Sequence, residues 1–157
     1  MSTPVGDRLP PDLVEAFNGD DLEAKIGPGY LFVTSDEDGA PRPCMLSAGE
    51  VLATDDRHLR LALWSGSHTS ANLSRGAPSL FCYVAEGTVL YVRGTPRALG
   101  TVARLQVDCF EIEVSIVESD EHPGMPVHDT IRFTVTGRSA EALVREWQQR
   151  LAALGSL

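Results

Sequence analysis

Leu59, Leu61 and Leu63 alternate with His58, Arg60, Ala62 and Trp64, the period-two pattern of a strand with one buried face. Residues 108–119, "DCFEIEVSIVES", alternate in the same way, and "SLFCYVA" and "TVLYVRGTPRAL" read as two arms of a hairpin joined at Glu86-Gly87. "YLFVTS" at 30–35 is aromatic and β-branched, and "DEDG" after it reads as a turn in which Gly39 takes a positive φ. Pro41 and Pro43 confine the next run to a strand start or edge until Cys44, because proline donates nothing to a ladder. "IRFTVT" at 131–136 reads as a strand or a pairing edge.

Helical spacing marks three segments. Leu13, Val14, Phe17 and Leu22 predict a first helix with Asp12 as N-cap behind Pro10-Pro11. Ser67 is the N-cap of a short helix, "HTSANLSR", that Gly76 ends. Ser139 opens a C-terminal helix over about 139–154, with Leu143, Val144, Trp147, Leu151 and Leu154 on one stripe. Successive strands with tight turns predict a closed or nearly closed antiparallel barrel flanked by helices. The first ten residues or so and the last few are expected to lack structure.

The 157 residues, 43% of them hydrophobic, bury one core, and a single domain over 1–157 is expected. A net charge of -9 argues against a nucleic-acid partner or an acidic membrane, which need a basic face. No run of about 18 apolar residues and no apolar leader is present, so a cytoplasmic protein is expected. Cys44, Cys82 and Cys109 form no paired motif and read as buried small hydrophobes. His58, His68, His122 and His128 lack metal-ligand spacing, and no metal site is expected.

The stretches "GYLFVTSDEDGAPRPCMLS", "LRLALWSGSHTSANL" and "VLYVRGTPRAL" follow the order hairpin, strand, short helix of the form S-x-x-x-x-N-L, and hairpin. In that order they resemble the FMN-binding split-barrel superfamily, which includes pyridoxamine 5'-phosphate oxidase, from about Gly29 to Val117. The resemblance implies a mainly β, α+β chain built on a six-stranded antiparallel split barrel with flanking helices and a core at about 29–120. It also implies a homodimer with its ligand clefts between subunits.

Strand positions that the family fills as R-x-x-L-L-K read here Arg42, Pro43, Cys44, Met45, Leu46 and Ser47, so one lysine is replaced by serine. The family's S-R-K at the helix start reads Ser67, His68 and Thr69, which removes two further cations. By the resemblance, Arg42, Ser47, Ser67, His68 and Thr69 face the FMN phosphate, and Pro43 and Asn72 also belong to the cofactor site. Cys44 to Leu46 and Leu61 to Trp64, Leu63 included, line the flavin ring. Charge-assisted contacts are about twice as strong as neutral ones, so these replacements weaken the phosphate site. Trp64 either covers the ring or packs at the rim, and Met45 and Leu46 read first as core.

"REWQQR" lacks the arginine-histidine motif that follows a similar stretch in true pyridoxamine 5'-phosphate oxidases, and vitamin B6 oxidation is not expected. Two functions remain: a flavin-dependent oxidoreductase with no catalytic side chain of its own, or a non-catalytic dimer that has lost FMN and takes another small ligand. Deazaflavin F420 and haem are the alternative cofactors.

Overall fold

The alternating segments join one antiparallel sheet in the computed structural model, which describes residues 1–157. Its strands are β1 (Ser2–Gly6), β2 (Pro28–Ser35), β3 (Pro41–Leu46), β4 (Val51–Ala53), β5 (His58–Trp64), β6 (Ser79–Ala85), β7 (Thr88–Val102), β8 (Val107–Asp120) and β9 (Ile131–Arg132). The helices are α1 (Pro11–Ala16), α2 (His68–Ser74) and α3 (Ala140–Gly155). Seven strands pair in the order β3-β2-β6-β7-β8-β5-β4, with β1 added along β8 and β9 along β2, so six strands is an undercount.

That order forces the sheet to curl. β3 and β4 are the two ends of the path, yet only residues 47–50 separate them in sequence. At about 4.8 Å per strand, the edges of a flat seven-stranded sheet lie roughly 29 Å apart, whereas the chain from Leu46 to Val51 spans at most about 18 Å. The edges therefore face one another. No ladder joins β3 to β4, and the barrel stays split along that seam. Pro41 and Pro43 sit on β3, an end strand, where a missing N–H on the open side breaks no ladder bond.

Three expectations at the N-terminus are corrected. Residues 2–6 are not unstructured: Ser2, Thr3 and Pro4 pair with Asp120, Ser119 and Glu118 of β8. β5 pairs with β8 only from Val107 to Glu113, so the far half of that long strand would otherwise expose an edge, which β1 covers. Pro10, not Asp12, is the N-cap of α1, with no side-chain hydrogen bond, and Leu22 belongs to a separate 3-10 turn at Leu22–Lys25.

The alternation of β5 and β8 sends side chains into two cores. Leu59, Leu61 and Leu63 with Phe110 and Ile112 fill the barrel interior, and Phe17 plugs one end, its ring centroid 4.8 Å from that of Tyr30. Ala62, Val107 and Cys109 face outward beneath Leu143, Trp147, Leu151 and Leu154 of α3. Ser139 caps α3 by accepting from the Ala142 N–H. Arg60 on β5 pins the other end by donating to the Leu154 carbonyl at 2.7 Å. Cys109 is buried, and Cys44 and Cys82 are half-buried.

Candidate functional site

The hydroxyl-rich connection between β5 and β6 holds an anion that belongs to the chain itself. Ser65 Oγ and Thr101 Oγ1 donate to one oxygen of Asp108, and Ser70 Oγ donates to the other at 2.5 Å. These bonds, led by that of Ser70, hold the Asp108 carboxyl below the usual carboxylate range against the opposing effect of burial. Ser67 caps α2 by accepting from the Ser70 N–H at 3.1 Å. Asn72 is buried and fully engaged: its amide donates to Thr34 Oγ1 and Asp36 Oδ1, and its carbonyl oxygen accepts from Arg75.

Arg42 is also engaged. Its Nη2 and Nε donate to Asp36 Oδ2 at 2.6 and 3.0 Å. The Arg42 hydrogen bond, followed by that of Asn72, lowers the Asp36 pKa to about 2. Strand alternation puts Arg42, Cys44 and Leu46 on the more buried face of β3 and Pro41, Pro43 and Met45 on the exposed one. Burial pushes the Cys44 thiol above its ordinary range.

A cleft of about 450 Å³ opens beside the seam of the barrel. Met45, Leu46, Ser47 and Glu50 supply one wall, Trp64 at the end of β5 another, and α3 with residues 131–136 the rest. The turn between β3 and β4 is shaped to receive α3: a Cβ on Gly49 would lie 2.0 Å from Trp147 Cγ. Phe133, whose N–H donates to the Gly27 carbonyl, packs edge-on against Trp147 at 6.4 Å. Of "IRFTVT", only Ile131 and Arg132 pair, with Gly29 and Pro28 of β2.

Met45 is 44% exposed and Trp64 53% exposed at the cleft, so Met45 is not a core residue, whereas Leu46 is. The Arg150 guanidinium lies over the Trp64 ring, 5.0 Å from its centroid. Glu146 accepts from Arg150 at 2.5 Å and also from Arg138. Across the cleft, Glu50 accepts from both the N–H and the hydroxyl of Ser47.

The fold thus brings Met45, Leu46, Ser47 and Trp64 together on one cleft. Arg42, Pro43, Cys44, Leu63, Ser67, His68, Thr69 and Asn72 lie outside its lining, and Leu63 belongs to the barrel interior. The α3 wall, with Glu146, Trp147 and Arg150, was not among the expected site residues. Its sequence signal is the four-residue spacing of Glu146 and Arg150, which places both on one helix face.

No family model matches the chain. The uncharacterized protein YclD of Bacillus subtilis is 28% identical over 144 residues, covering 90% of this chain and 92% of that protein. A candidate pyridoxamine 5'-phosphate oxidase of Lactobacillus delbrueckii superposes with a TM-score of 0.57 at 15% identity, over 73% of this chain and 97% of that one. The fold is the split barrel. HupZ of Group A Streptococcus gives a TM-score of 0.53 at 13% identity, over 69% of this split barrel and 91% of its own chain. No helix of the present split barrel is long and apolar enough to cross a membrane.

Proposed function

We propose that this split barrel binds FMN at the seam and is oxidoreductase-like, with no catalytic side chain of its own. The observation that carries the proposal is the convergence of Met45, Leu46, Ser47 and Trp64 on one cleft whose volume, about 450 Å³, suits a small-molecule ligand. The likeness in fold to the candidate oxidase from Lactobacillus supports the same class.

The residues present fit the ring better than the phosphate. Trp64 and Met45 offer an exposed apolar surface for a flat body. On the phosphate side, Ser67, His68 and Thr69 open α2, and Arg42 is neutralised by Asp36. The ring would rest on Met45, Leu46 and Trp64, with the phosphate towards the start of α2, and FMN supplies the hydride or electron transfer. The apolar rim formed by Met45, Trp64 and Ile131 is the surface a second copy would cover in a cytoplasmic homodimer.

The protein as purified is expected to be yellow, absorbing near about 450 nm as bound flavins do. FMN at 100 times its dissociation constant adds about 2.7 kcal/mol to the stability of the flavin-free form. A colourless protein with an unmoved melting temperature would instead select a non-catalytic dimer that takes another small ligand, deazaflavin or haem among them. The pairing of Arg42 with Asp36 is the observation that favours this second reading.

A further inference from the structure

We propose that the α3 wall of the cleft is a binding site for a small aromatic carboxylate, with Arg150 as the anion-binding group. Arg150 is 6% exposed, yet its Nη2 alone is hydrogen-bonded within the chain, to Glu146. Its Nε and Nη1 have no acceptor in the protein, although no fully enclosed polar side-chain atom lacks a partner, so both nitrogens reach open space. A guanidinium carries five donors, and those on Nε and Nη1 remain free for an acceptor brought from outside the chain. The residue lines the cleft, where an acceptor carried by a ligand can meet those nitrogens.

Charge and shape narrow the ligand. Two guanidinium groups, of Arg138 and Arg150, share the single carboxylate of Glu146, which leaves one positive charge in that cluster. Glu50, on the opposite wall, accepts from Ser47 and keeps its negative charge, and Arg132 is paired with Asp129. The single positive charge on the α3 side, facing the Glu50 carboxylate across the cleft, suits a monoanion rather than a phosphate, which is close to a dianion. Trp64 and Phe133 offer walls to a flat apolar body, and the buried Trp147 packs against Phe133 behind them. This site shares Trp64 with the proposed flavin site, but its anion-binding groups come from α3 and the segment before it, and it does not require flavin.

The chain has two tryptophans, Trp64 and Trp147, and both line the cleft, so intrinsic fluorescence reports on it directly. The flavin-free protein is titrated with benzoate and with its neutral analogue benzamide. Benzoate is expected to change the fluorescence saturably and to bind at least about tenfold more tightly than benzamide. Arg150→Gln removes that preference. Arg138→Gln, at an exposed position, weakens benzoate without touching the core. Glu146→Gln strengthens benzoate binding, because it removes the carboxylate that competes for both guanidinium groups.

Equal responses to the two compounds, no response to either, or weaker benzoate binding by Glu146→Gln would overturn the proposal. FMN binding is read separately from its own absorbance. Failure of the flavin proposal therefore leaves the benzoate result intact, and the reverse also holds.

Discussion

Ser70 on the first turn of α2 donates its hydroxyl hydrogen to Asp108 on β8 across 2.5 Å, tying the helix to the sheet. With Ser65 and Thr101 on the same carboxylate, the hydroxyls of this connection are in part consumed by an internal anion. Ser70→Ala is expected to cost about 1 kcal/mol, the net worth of one hydrogen bond. Asp108→Ala costs more, about 2–3 kcal/mol, because the buried Ser70 hydroxyl is left unpaired. Thermal denaturation of the two variants checks the order. Equal midpoints for wild type and Asp108→Ala would refute the role assigned to this carboxylate.

Asp36 carries a pKa of about 2, below an ordinary value of about 3.9 for an unfolded aspartate. Because the folded value is the lower one, its stabilising contribution is complete above about pH 4 and is lost as pH falls towards 2. Carboxyl-carbon NMR titration measures this directly, and a midpoint near 4 would show that Arg42 does not hold the carboxylate. Asp36→Asn releases the Arg42 guanidinium. If the flavin phosphate lies at the start of α2, FMN affinity rises by about tenfold, the scale of one charge-assisted hydrogen bond.

Gly49 is the point where the turn across the seam meets α3. Gly49→Ala forces Trp147 away from the turn and is expected to cost about 1–3 kcal/mol, as overpacking does. It also alters the tryptophan emission, since Trp147 moves. Gly155→Ala is the control: its Cβ would meet only Leu52 Cδ2 at 3.8 Å, and stability should not fall.

Removing residues 1–6 uncovers the part of β8 that β5 does not reach. The truncated chain should exchange the amide hydrogens of residues 117–120 faster and self-associate more readily, as exposed strand edges do. Hydrogen exchange and sedimentation velocity test the two effects, and an unchanged exchange pattern would mean that β1 contributes no protection there.

Local patterns were legible along the chain wherever one residue's role depends on its near neighbours. The alternation of Leu59, Leu61 and Leu63 specified β5, and the capping serines at 67 and 139 marked the starts of α2 and α3. The three stretches that resemble the split-barrel superfamily pointed to the fold, and five of the residues they contain line the cleft. For the strand and the caps the signal lies within a few residues, where backbone geometry fixes which side chains share a face, whereas the resemblance rests on the order of three stretches along the chain.

Tertiary structure decided the rest. Ala62 lies on the nominally open face of β5 and is buried because α3 covers it, held there by a hydrogen bond between residues 94 apart in sequence. Arg42, whose position predicts a phosphate ligand, is engaged by Asp36 across the hairpin, a pairing that no periodicity announces. Arg150 reads as polar helix surface until the fold sets it over Trp64 and lines the cleft with it. Charges act through space, whereas propensity and periodicity act along the chain. The strands and helices were therefore written locally, and the cleft, with the positive charge on its α3 side, arose only when distant segments met at the seam.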